Sequence, residues 1–196
     1  MTPFTHGTYD MDSSSSHDLT FACLLVTCLL VFATAGIRAD IIDSAPHGFT
    51  SVHDVTIKAS PDRVFTAMTS EVSKWWDPDH SYSGDAGNLS MQLEAGGCFC
   101  ERLADGGIVE HLRVVFVRPG SLLRLSGGLG PLQTMGAAGS MEFRLEARGE
   151  GETLLKYKYV VGGYYADGLN SVAEPVDQVQ LGQLLRLKRY VEKGAP

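Results

Sequence analysis

The segment Cys98-Phe99-Cys100-Glu101 carries the densest chemistry in this chain, and His111 stands on the next strand-like run. Residues i and i+2 of a strand share a face, so the two thiols lie side by side. Several uses fit such a pair. Free cysteines often serve as small buried hydrophobes. In an oxidising compartment they can form a disulfide, although i and i+2 on an extended strand stand near the upper limit for bridging. A metal site would use Cys98, Cys100 and His111, with His80 or Glu101 as a further ligand, but Cys-x-Cys alone is a weak zinc signal. A redox thiol is the remaining use.

Glu101 and His111 sit on runs that pair across the turn Asp105-Gly106. A carboxylate beside an imidazole is either an acid/base pair or an exposed cross-strand ion pair. Strict alternation puts His111, Arg113, Val115 and Val117 on one face, and Leu112, Val114 and Phe116 on the other. The second face is the more apolar, so His111 is expected outside. Lining a partly polar cavity instead, His111 and Arg113 would anchor an anion or a carbonyl.

Aromatic residues supply the other candidates. Trp75 and Trp76 are adjacent, so both cannot face one core; one packs, and the other suits the mouth of a pocket. His80 and Tyr82 follow on a loop. Gly162-Gly163-Tyr164-Tyr165 precedes the last helix, where the glycines would let the chain swing and Tyr164 would gate a cavity. Gly127-Gly128-Leu129-Gly130-Pro131 lacks the lysine and the strand-to-helix setting of a phosphate loop. No Ser-His-Asp order, nucleophile elbow or HExxH motif is visible.

These side chains need a scaffold, and the pattern supplies one. Val52–Ala59 alternates as a half-buried strand. Ser60-Pro61-Asp62 is a strong helix start, with Val64, Phe65, Met68 and Val72 at helical spacing behind it. Strand-like runs follow at 89–94, 98–103, 108–117, 122–126, 140–147 and 153–161, separated by Gly-rich turns. Short connections imply an antiparallel meander. Val172, Val176, Val179, Leu184, Leu187 and Val191 then keep a helical period, with Leu181 and Leu185 widening the apolar face. The expected class is α+β: a curved antiparallel sheet of six to seven strands wrapped on a long C-terminal helix.

The formal net charge is -7, and basic residues are scattered, so a nucleic-acid partner is not expected. Residues 19–35 are uncharged and followed by small residues, which reads as a signal peptide over 1–39. Asp10, Asp12 and Asp18 precede the apolar run where basic residues are usual, so an uncleaved anchor and a buried core helix stay open. Residues 40–51 read as an entry segment and 52–194 as one domain. Once cleaved, the mature chain would hold no stable membrane span and would be periplasmic or secreted.

The chain also resembles a known superfamily. Val55-Thr56-Ile57-Lys58-Ala59-Ser60-Pro61-Asp62-Arg63-Val64-Phe65, Trp75-Trp76-Asp77-Pro78-Asp79-His80, Glu94-Ala95-Gly96-Gly97, Val117-Arg118-Pro119-Gly120-Ser121-Leu122-Leu123 and the final helix resemble START-like (SRPBCC) proteins. Within that group they are similar to polyketide cyclase/dehydrase proteins and relatives of the heat-shock-protein ATPase activator. The resemblance implies a helix-grip fold with a cavity for a small hydrophobic molecule or lipid, and no cofactor. Trp76, Tyr82, Glu101, His111, Arg113 and Tyr164 are the expected lining. The leading expectation is an exported ligand-binding protein. The alternatives are a polyketide cyclase/dehydrase-like enzyme, with Glu101 and His111 as candidate catalytic groups, and a co-chaperone-like ATPase activator.

Overall fold

The structure is a computed structural model that describes residues 41–196. The expected leader, residues 1–39, lies outside the described residues. Eight strands form one antiparallel sheet in the order β1-β2-β8-β7-β6-β5-β4-β3. They are β1 (Ile41–Ala45), β2 (Gly48–Ile57), β3 (Leu89–Met91), β4 (Cys98–Arg102), β5 (Ile108–Arg118), β6 (Leu122–Gly127), β7 (Ala137–Ala147) and β8 (Thr153–Gly163). The helices are α1 (Pro61–Ser70), α2 (Val72–Trp75) and α3 (Asn170–Lys193). From β3 to β8 every strand pairs with its neighbour in sequence, and β2 closes onto β8. Among the described residues no helix is long and apolar enough to cross a membrane.

The α+β class and the C-terminal helix agree with the sequence pattern; the strand count does not. Eight strands replace the expected six to seven, and the additional one is Ile41–Ala45. It lies at the sheet edge, pairs only with β2, and keeps its three central residues exposed. An edge strand with no buried face has no need of the alternation by which strands are read from sequence.

Local chemistry explains the helix ends. Ser60 Oγ accepts from Arg63 N, and Pro61 opens α1. Helicity breaks at Glu71, whose carboxylate takes Arg63 at 2.7 Å and the Tyr190 hydroxyl at 3.0 Å, tying this corner to α3. Gly194, at φ 80°, ends α3 in the left-handed conformation that glycine adopts without a Cβ clash.

Helix α3 packs on β1 and β2 and against α1 and α2. Its buried face runs Ala173, Asp177, Gln180, Leu184 and Leu187, alternating steps of four and three. Two of those five are polar. The core between helices and sheet contains Ile57, Met68, Trp75, Leu112, Leu125, Leu155 and Tyr159. The sheet thereby carries β4 and β5, the helix carries its own polar face, and the candidate site forms where they meet the loops after α2 and β6.

Candidate functional site

His111 owes its position to an irregularity in pairing. Phe99 opposes Leu112 while Cys100 opposes Glu110, so His111 is an extra residue on β5. Such a bulge re-aims side chains. His111 turns inward beside Leu112 and is only 4% exposed, which corrects the outer-face expectation. A second shift leaves Val115 extra between Val114 and Phe116. Phe116 consequently faces out, with the Arg118 and Arg124 guanidinium groups against its ring, and does not join Leu112 and Val114 inside.

Behind His111 stands Glu101, fully buried on β4. Its carboxylate accepts from Tyr82 N at 3.0 Å and from Ser83 N at 2.5 Å. His111 Nε2 lies 2.9 Å from Glu101 Oε2. One carboxylate therefore fixes both the imidazole and the loop after α2. Burial pushes the Glu101 carboxyl up, but hydrogen bonds from Ser83, Tyr82 and His111 outweigh it and hold the group below its ordinary range. Burial lowers the His111 pKa, and the raising effect of the Glu101 hydrogen bond and charge does not cancel it. His111 is thus neutral at pH 7 and Glu101 ionised.

Acid should act on these two groups in sequence. As pH falls below about 6.5, the unfolded chain protonates His111 while the folded chain resists, so stability drops through the lowered folded pKa. Below about 4.5 the same holds for Glu101, whose ionised form the fold prefers. Urea midpoints should fall from pH 7.5 to 5.5 and again toward pH 3.5. Glu101→Gln should retain the first drop and reduce the second, to which Glu71, Glu142 and Glu192 also contribute. A midpoint that holds constant or rises on acidification would contradict this assignment.

A cavity of about 390 Å³ lies in front of His111, within the size range of small-molecule sites. Helix α3 contributes Val172, Val176, Val179 and Gln180; the turn after β6 adds Leu129, Leu132 and Met135. Trp76, Asp79 and Tyr82 close the other side. Each wall is anchored. The Tyr159 hydroxyl donates to Gly127 O at 3.0 Å and accepts from Leu129 N at 3.2 Å. Gln183 Oε1 accepts from Asp77 N at 3.0 Å, and Arg186 Nε donates to Trp75 O at 2.9 Å. Trp76 Nε1 donates to His80 O at 3.0 Å.

Of the expected lining residues, Trp76, Tyr82 and His111 border this cavity. Glu101 does not touch it and acts through His111. Arg113 points to solvent, where it pairs with Glu110. Tyr164 is 78% exposed and lines nothing here. Trp75 is buried and donates to Ala67 O at 2.7 Å. Cys98 and Cys100 lie side by side on β4, with Cα atoms 5.3 Å apart, inside the range that allows bridging. Among the described residues no group of three ligating side chains forms a metal site.

Leu132, Met135 and Gln180 carry no signal in the sequence, and Leu129, Gly130 and Pro131, in the segment without phosphate-loop features, form an apolar wall. A second unforeseen cluster lies deeper. Ser51 Oγ donates to Asp177 Oδ1 at 2.5 Å, and His53 Nε2 lies 2.9 Å from the same oxygen. All three residues are buried and none borders the cavity, so this Ser-His-Asp set fastens α3 to β2 and does not form a nucleophilic triad.

No protein-family model matches the chain, and no curated protein matches it. Solved structures do. EF2215 from Enterococcus faecalis, a conserved protein of unknown function, superposes with a TM-score of 0.54 at 17% identity, covering 78% of this chain and 77% of that one. Mll3558 from Rhizobium loti gives 0.54 at 22%, over 71% of this chain and 94% of its own. The likeness is one of fold. DynU16, from the dynemicin biosynthetic locus, gives 0.52 at 20% over 75% of this chain, which spans only 48% of DynU16.

Proposed function

We propose that this chain is a helix-grip protein of the START-like (SRPBCC) type that binds a small hydrophobic molecule, exported through its N-terminal segment. The observation that carries the reading is the cavity of about 390 Å³, walled mostly by Val, Leu, Met, Pro and Trp, with Asp79, His80, Ser81, His111 and Gln180 as its polar groups. Apolar walls with a few placed polar groups are the usual make-up of ligand pockets. The sequence resemblance points the same way. The side-by-side placement of Cys98 and Cys100 is compatible with a bridge, which an oxidising compartment would allow.

A second reading has its own support. Glu101 holds a neutral imidazole at the cavity wall, the arrangement expected of a general base. With the sequence resemblance to polyketide cyclase/dehydrase proteins, this favours an enzyme acting on an aromatic or polyketide-like substrate, in which Glu101 positions His111.

Native and then denaturing mass spectrometry of protein expressed with its complete N-terminus tests the first reading. A mature chain beginning near Asp40, carrying a small molecule released on denaturation, is the expected result. A full-length mass with nothing bound would overturn both export and ligand carriage.

A further inference from the structure

We infer that the cavity selects an apolar ligand bearing a hydrogen-bond donor, an aromatic or enolic hydroxyl, which donates to Nδ1 of His111. This rests on the ligand-binding reading above and names the class of ligand. An ionised carboxylate only accepts, so the hydrogen between Glu101 Oε2 and His111 Nε2 belongs to the imidazole. A neutral ring with its hydrogen on Nε2 presents Nδ1 as a bare acceptor. That atom is buried and has no hydrogen-bond partner among the described residues.

The cost structure favours a donor strongly. Nδ1 is buried away from bulk solvent, so a ligand hydroxyl gains the bond without stripping an exposed acceptor. An ether, or a carbonyl without a hydroxyl, leaves two acceptors facing each other. The cover over the ring is Tyr82, stacked on His111 at 5.9 Å between centroids, with Phe99 at 5.3 Å on another side. Glu101 pins the Tyr82 backbone, while the Tyr82 side chain is 54% exposed. Tyr82 is therefore the part free to turn aside and restack on an aromatic ligand.

The test uses three matched probes: 2-naphthol, 2-methoxynaphthalene and naphthalene, titrated by fluorescence into the purified protein. The wild type should bind 2-naphthol about tenfold more tightly than the methyl ether, the worth of one well-made hydrogen bond. His111→Phe preserves the ring and should bind the two about equally. Imidazole ¹⁵N shifts give a second reading without any variant. Nδ1 should be unprotonated in the free protein and move on adding 2-naphthol but not its ether. Equal wild-type affinities, a preference that survives in His111→Phe, or a hydrogen found on Nδ1 would each overturn the hydroxyl assignment while leaving the cavity intact. Failure of all three probes to bind would remove the cavity reading and this one with it.

Discussion

Replacing Asp177 by alanine should destabilise the protein by about 3 kcal/mol, the cost of removing the shared acceptor of two buried polar groups. Asp177 is fully buried, and both Ser51 and His53 bond the same oxygen. Without it, the hydroxyl and the imidazole remain in the core with only their long 3.5 Å contact to each other. At a urea dependence of about 2 kcal/mol per molar, the midpoint should fall by about 1.5 M. Asp177→Asn keeps one oxygen for Ser51 and should lose less. A shift below about 0.5 M for the alanine variant would mean that the cluster does not hold α3 to β2.

Replacing Val176 by tryptophan should remove ligand binding while the fold persists. Val176 is half-buried on α3 and borders the cavity. Overpacking costs stability where a core is full, whereas here an indole enters open space. A two-ring ligand that forfeits about 100 Å² of apolar burial loses about 2.5 kcal/mol, roughly sixtyfold in affinity. Fluorescence titration with 2-naphthol checks the loss, and a urea melt checks that the midpoint is retained. Undiminished affinity in this variant would place the ligand somewhere else.

Sequence and structure agree where a pattern is local. The alternation in Val52–Ile57, the Ser60-Pro61 helix start and the 3.6 period of the last helix each report a single segment, and each element is present. His111 was assigned to the wrong face for a physical reason. A bulge is a property of two strands in register, and only the pairing of Phe99 with Leu112 and Cys100 with Glu110 reveals the extra residue. The Asp177 cluster was illegible for a similar reason. Its partner Ser51 lies 126 residues away, and an acid within an amphipathic helix reads as solvated until that contact is known. Trp76, Tyr82 and His111 were within reach because aromatic and imidazole side chains near a loop advertise themselves. Leu129, Leu132 and Met135 were not, since apolar residues beside glycines carry no such signal.

Intermolecular NOEs between 2-naphthol and methyl-labelled protein show directly whether the cavity holds an apolar ligand. Contacts to the methyl groups of Val176, Val179, Leu132 and Met135 together are the expected result, since the cavity brings helix α3 and the turn after β6 around one ligand. Contacts confined to methyls outside the cavity, such as exposed Ile42 or Ile108, would contradict it.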